Sequence, residues 1–411
     1  MSQVISCWRG TCGIVALGLW LISLDAPTAT SGGKVDSKTT EKIGVDPIPR
    51  VTYQYGPNYR YGIVANLTSE GGAKKLTYSA DGFTNMGVIK VDGRVSELGG
   101  PAGRWLAAPA RRSPSRKHMT QATWVHDTIR VTQILDIVPN PQPVRLKSGK
   151  LVRQLDRCLI LYVLENAGKK SRKVGLRLEI DTLIGSNDGV PFTVPGLPGL
   201  VDNQYDFAEA DKVPDFVQAL ERADLKNPGT IAQMSFKLGQ GIEPPGRVSL
   251  THWSRGFKDW EVPLQNLTGD SSVILYWNET DLAPKQKRTL GFSYGLGSIT
   301  SQEGKLGLTL SGRFEKDAEF NVVATATNPQ KGMTARLILP PELERTSGKE
   351  VEPVPESRNS GIITWRVRAR ESGQFKVRVE TSNRWTATQA VTISDRPLLL
   401  NPILGDPKKK K

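Results

Sequence analysis

Cysteine and histidine are nearly absent, with three of each in 411 residues. His118, His126 and His252 lie far apart in the chain, and with so few ligands a zinc site is disfavoured. No Gly-x-Ser-x-Gly elbow accompanies them, so a hydrolytic triad is disfavoured as well. Two of the cysteines, Cys7 and Cys12, sit in the first stretch, which leaves Cys158 alone downstream, and one thiol cannot close an internal disulfide. Exported eukaryotic chains of this size usually carry bridges, and their absence favours a bacterial envelope protein. No apolar run approaches the roughly 20 residues of a membrane-spanning helix. Aromatic residues are only 7% of the chain.

Glycine and proline are plentiful, at 40 and 27 residues, which suits a protein of many turns. Arg9 precedes the apolar run Gly13–Leu24, and small residues follow at Ala29-Thr30-Ser31. Residues 1–31 therefore read as a signal peptide, or an uncleaved anchor, and imply export to the periplasm, envelope or exterior. Residues 32–48 are polar and patternless and read as a linker. The chain carries 55 basic and 41 acidic residues, a net +14, spread over the Arg111–Lys117 loop, the Lys169–Lys173 turn and the basic tail at 397–411. No aromatic residues interleave with these runs, so nucleic acid is disfavoured as a partner, and solvated loops account for them. Binding of other anionic polymers through the basic loops stays open.

Strand patterning dominates from Val51 onward. Residues 99–120 read as a long exposed loop, and Ala122–Val138 as a β segment broken once, with Val125, Ile129, Val131, Leu135 and Ile137 on one parity. Leu155–Asn166 and Lys173–Asp181 read as the two strands of a hairpin. The first is apolar on both parities and should lie inside its sheet. The second alternates, with Val174, Leu176, Leu178 and Ile180 facing a core and Arg177, Glu179 and Asp181 facing away. Strands give way to loop chemistry over 182–230, where Phe216–Ala223 reads as a short helix capped by Asp215. With the later strands this makes roughly ten, a large antiparallel β-sandwich over 49–298. After the glycines and polar residues near 295–305, about seven short strands follow over 304–396, with Trp365 as a core residue.

The stretch 306–395 resembles the immunoglobulin and fibronectin type III-like modules of exported bacterial proteins, and that resemblance implies a fold alone. The larger domain resembles the sandwiches of mutarotase-like and sugar-binding proteins. The fold class expected is therefore all-β, a large antiparallel sandwich followed by an immunoglobulin-like one.

Two places carry candidate chemistry. In the segment Asp181–Phe192, Asp181, Asn187 and Asp188 cluster oxygen atoms about Gly189. Such a loop suits calcium, a hard cation with 6–8 oxygen ligands, and Asn-Asp-Gly is equally a tight turn. The polar row Arg177, Glu179, Asp181 could instead line a sugar-binding groove. The two carboxylates of a glycosidase would need to flank a substrate, which sequence cannot place. Trp253, Phe257 and Trp260 are aromatic residues suited either to a sugar ring or to a core. With no nucleophile, metal or cofactor signature, the expected activity is non-catalytic binding or assembly, with polysaccharide or other envelope components as partners. A carbohydrate-binding or carbohydrate-active protein using residues 177–192 is the alternative.

Overall fold

A computed structural model describes residues 43–67, 72–111, 116–253, 258–356 and 359–397. The stretch 1–31 read as a signal peptide, most of the expected linker and nearly all of the basic tail lie outside the described residues, as do Arg112 and Phe257. The chain is all-β, built mainly from antiparallel pairs, as the alternating sequence demands.

Two sheets enclose the first and larger core. One has eight strands, in the order Phe192–Thr193, Phe216–Leu220, Ile231–Ser235, Lys287–Leu296, Arg157–Asn166, Ile129–Val138, Thr120–His126 and Arg104–Trp105. The other has six, in the order Tyr205–Phe207, Arg247–Thr251, Ser271–Leu282, Arg172–Thr182, Met86–Val91 and Arg94–Glu97. A small sheet of Val51–Tyr55, Tyr61–Leu67 and Gly72–Lys75 adds Val51, Ile63 and Ala65 to the same core.

The segment Leu155–Thr182 is not a hairpin. Arg157–Asn166 pairs with Ile129–Val138 and Lys287–Leu296, whereas Arg172–Thr182 pairs with Met86–Val91 and Ser271–Leu282 in the opposite sheet. Residues 167–171 cross from one sheet to the other. Buried Asn166 tethers the crossing by donating to the carbonyls of Lys170 (2.7 Å) and Leu282 (2.8 Å). Alternating apolar residues fit strands that face each other across a core as well as strands lying side by side, so periodicity does not separate the two. Arg157–Asn166 is nonetheless interior. Cys158, Ile160, Tyr162 and Leu164 face the main core, while Leu159 and Leu161 pack with Met119, Ile134, Val138 and Ile242 outside.

Three further readings change. Phe216–Leu220 is a strand, buried at all five positions, and Asp215 caps no helix. A segment covered on both faces loses its period-two signal, and its apolar spacing then imitates a helix. Gly44–Pro49, of which all but Pro49 falls in the expected linker, is an edge strand parallel to Leu151–Leu155. Its side chains are largely exposed, so backbone pairing holds it without a hydrophobic pattern, and its prolines suit an edge. Ala122–Val138 turns back on itself at Asp127-Thr128, with Asp127 at φ 53°. The turn resets the parity, so Trp124 rather than Val125 reaches the core.

The second sandwich packs a five-stranded sheet (Thr300–Gln302, Leu306–Gly312, Glu319–Thr327, Ser360–Ala369 and Leu343–Ser347) against a four-stranded one (Val351–Pro353, Thr334–Ile338, Gly373–Thr381 and Thr386–Ile393). Trp365 is fully buried in its core and donates Nε1 to the Lys349 carbonyl at 2.7 Å.

The two sandwiches dock through a small apolar seam of Phe216, Val323 and Ile362, with Leu200 beside them. Asp215 stands at its edge, paired with Lys237 (2.9 Å) and Arg366 (3.1 Å) and accepting from Asn321 (2.7 Å). Gln142 exchanges two hydrogen bonds with the Thr392 backbone further along. Phe216 is wholly buried in this seam. Phe216→Ala should cost about 3–5 kcal/mol by emptying it. Calorimetry of that variant should show the melting transition lowered and split in two, whereas an unchanged single transition would mean the seam contributes nothing.

Candidate functional site

The polar face of Arg172–Thr182 is covered over. Arg177 and Glu179 are fully buried, and Asp181 is 1% exposed. Pairing sets Arg177 beside Tyr276, Glu179 beside Ile274 and Asp181 beside Ser272. Trp260 lies edge-on to Tyr276 with ring centroids 5.9 Å apart, and Val262 packs with Ile274 and Tyr276, so the segment around them roofs this face. The Thr251 hydroxyl holds the roof to the sheet, donating to the Gln265 carbonyl and accepting from its backbone N–H. Beneath it Arg177 Nη1 approaches Glu179 Oε2 at 3.3 Å, a buried ion pair. Such a pair is costly to break and out of reach of a polysaccharide. An open sugar groove along this face is therefore not formed. Trp253 and Trp260 also serve the fold: Trp253 donates Nε1 to the Thr84 carbonyl at 3.1 Å, and Trp260 carries the Lys90 ammonium over its ring.

At the end of this row the chain gathers carboxylates. Asp181, Asp188 and Asp270 each present an oxygen, and the three oxygens lie within 4.8 Å of one another. Each comes from a different segment. Asp181 is the next-to-last residue of its strand, its backbone N–H donating to Asn85 Oδ1 at 2.8 Å. Asp188 follows the tight turn Ile184–Asn187, closed by reciprocal backbone hydrogen bonds and a left-handed Gly185 at φ 64°. Asp270 immediately precedes Ser271, which pairs with Thr182. The Ser271 hydroxyl donates to the Asp188 carbonyl at 2.7 Å and lies 2.8 Å from the Thr182 hydroxyl, drawing the three segments together. Gly189 permits the approach, since a Cβ there would lie 2.5 Å from the Gly269 nitrogen.

The cluster holds more negative charge than its surroundings answer. Among the described residues, Oδ1 of Asp181, Asp188 and Asp270 is buried in each case with no hydrogen-bond donor. Burial pushes the Asp181 carboxyl up to about 7, with Asp270, Asp188 and Glu179 adding to the rise against the Thr84 hydroxyl. Burial and the charge of Asp188 push Asp270 up to about 6. Asp188 also rises through burial, opposed by Lys75 and His252. Desolvated carboxylates that repel one another shift in this direction unless a cation joins them.

The structure brings Asp181 and Asp188 together, as a calcium loop requires, and makes the Ile184–Asn187 segment a turn as well. Asn187 leaves the cluster. Its amide donates to the Glu221 carbonyl at 2.9 Å, locking the turn. Asp270 was missed because it lies 82 residues beyond Asp188, and only the Thr182–Ser271 register brings it near. Its local signal is the turn Asn266-Leu-Thr-Gly-Asp270, where Asn266 Oδ1 accepts from the Thr268 backbone and hydroxyl. Cys158 is fully buried, and burial raises its thiol far above the range of a nucleophile. In the basic turn, Arg172 is paired with Asp92 and Asp127.

No protein-family model matches the chain, and no curated protein does. Among solved structures it is similar to a polysaccharide lyase at 12% identity and a TM-score of 0.33, over 84% of this chain and 46% of the lyase. The chain thus spans less than half of that protein's length, and so distant a likeness carries no argument.

The raised carboxyls give a pH signature. An acid whose folded pKa exceeds its unfolded value is more protonated when folded, so its contribution is complete at low pH and fades as pH rises through the folded value. In chelator, stability should fall between about pH 4 and 7 as Asp270 and then Asp181 ionise. Asp181→Asn should flatten that slope in denaturant titrations across the range. An equally steep slope in the variant would mean that Asp181 does not ionise in the folded protein.

Proposed function

We propose that this is an exported, non-catalytic binding or assembly protein of the bacterial envelope whose large sandwich holds one calcium ion between Asp181, Asp188 and Asp270. The observation that carries the ion is the convergence of three carboxylates that place one oxygen each within 4.8 Å of the others, while Oδ1 of each is buried without a donor among the described residues. Calcium bonds oxygen at about 2.3–2.6 Å, so two ligands on one ion stand at most about 5 Å apart, and this spacing fits. A doubly charged ion also answers the repulsion that raises these carboxyls. Asp181 is held rigidly at its strand end, so the ion would join two loops to the sheet.

Export supports the same reading. The apolar run Gly13–Leu24 and the single downstream cysteine suit passage out of the cytoplasm. Extracellular modules bind calcium with dissociation constants of about 10⁻⁴–10⁻³ M, a range that sites of few carboxylates reach. Burial of Arg177 and Glu179 removes the paired groups that a glycosidase along this face would need. The second sandwich, read as an immunoglobulin-like module, acts as spacer or second contact.

A ligand that binds only the folded state stabilises it by about 2.7 kcal/mol at a hundredfold excess over its dissociation constant. Calcium should raise the melting temperature of the chelator-treated wild type, and Asp188→Ala and Asp270→Ala should lose that response. Identical wild-type melting in calcium and in chelator would end the proposal.

A further inference from the structure

The docking of the two sandwiches leaves a crevice beside the seam. Its floor is the outer face of the eight-stranded sheet, where Arg157, Leu159, Ser235 and Ser293 stand on three neighbouring strands. Its far wall is Ser311–Glu315 of the second sandwich. Apolar surface from Val138, Leu238 and Phe314 shares the lining with the serines. The crevice is therefore of mixed polarity and belongs to both sandwiches.

Three cations and two anions line it. Lys237 is committed to Asp215 at 2.9 Å, and Arg313 to Glu315 at 2.7 Å. Arg157 is left over. Among the described residues no hydrogen bond or ion pair engages its guanidinium. Burial holds it below the usual arginine range, and Asp156, the neighbouring charge in sequence, is the group that opposes this. Asp156 itself is buried, pushed up to about 6, and accepts from Asn140 at 3.1 Å. Arginine stays charged whatever its surroundings, so the crevice carries one cation more than its two anions.

We propose that this crevice binds a small hydroxylated carboxylate, its carboxyl group on the Arg157 guanidinium and its hydroxyls on Ser235, Ser293 and Ser311. A planar guanidinium donates two parallel hydrogen bonds to a carboxylate, the strongest pairing available to it. The Ser235 and Ser311 hydroxyls already accept from the Gln233 amide at 3.1 and 2.9 Å, which leaves their protons to donate to the body of such a ligand, and the apolar wall covers its C–H faces. The seam around Phe216 keeps both walls in place, so the site exists only while the sandwiches are docked. It uses none of the calcium ligands.

The test is calorimetric titration of the full chain with glucuronate, with neutral glucose and with inorganic phosphate. Glucuronate should bind with one site per chain and be unaffected by chelator, whereas glucose and phosphate should bind at least roughly tenfold more weakly. Arg157→Gln should weaken glucuronate roughly 10- to 100-fold. Leu238→Trp, which narrows the crevice and spares the arginine, should also abolish binding and guards against a misfolded Arg157 variant. Binding retained by Arg157→Gln, no glucuronate binding to the wild type, or tighter binding of glucose or phosphate would each overturn the proposal.

Discussion

A strand with an apolar face and a charged face, both buried, governs the larger sandwich. Arg172–Thr182 gives Val174, Leu176, Leu178 and Ile180 to the core and sends Arg177, Glu179 and Asp181 to the other side. Desolvated charges are tolerated only with partners, so the chain must supply them locally. It does so with the Arg177–Glu179 pair under the Trp260 and Val262 roof. Asp181 is the member of the row that protein groups do not neutralise, and the loops that bring Asp188 and Asp270 beside it add charge of the same sign. The calcium proposal rests on that imbalance.

A similar imbalance recurs where the sandwiches meet. Asp215 absorbs the charges of Lys237 and Arg366 at the rim of the Phe216 seam, and Glu315 absorbs that of Arg313. Arg157, on the strand that carries Leu159, makes no ion pair or hydrogen bond among the described residues, although the charge of Asp156 beside it in sequence acts on it. One site thus concentrates negative charge and the other positive charge. Each lies where segments distant in sequence converge, and in each the surrounding packing fixes the geometry before any ligand arrives.

Much of the fold was legible from residue patterns. The alternation over Lys173–Asp181, the doubly apolar Leu155–Asn166 and the core role of Trp365 follow from strand geometry alone. What periodicity could not convey is which sheet a strand joins, and for that reason two consecutive strands resembled a hairpin while belonging to opposite layers. Phe216–Leu220 misled for a related reason, being buried on both sides. Of the site, Asp181 and Asp188 were visible because they share one loop. Asp270 was not, since its proximity depends on strand register, and Arg157 carried no signal because its isolation is a property of the docked sandwiches.

The central claim is that Asp181, Asp188 and Asp270 form one cation site. Calorimetric titration of calcium into chelator-stripped protein tests it most directly, with Asp181→Asn run alongside as a variant that keeps the shape of the cluster and removes one charge. The account predicts one calcium per chain in the wild type, weaker magnesium binding because that smaller ion demands stricter octahedral geometry, and no calcium binding in the variant. Equal calcium binding by wild type and Asp181→Asn, or none by the folded wild type, would contradict it.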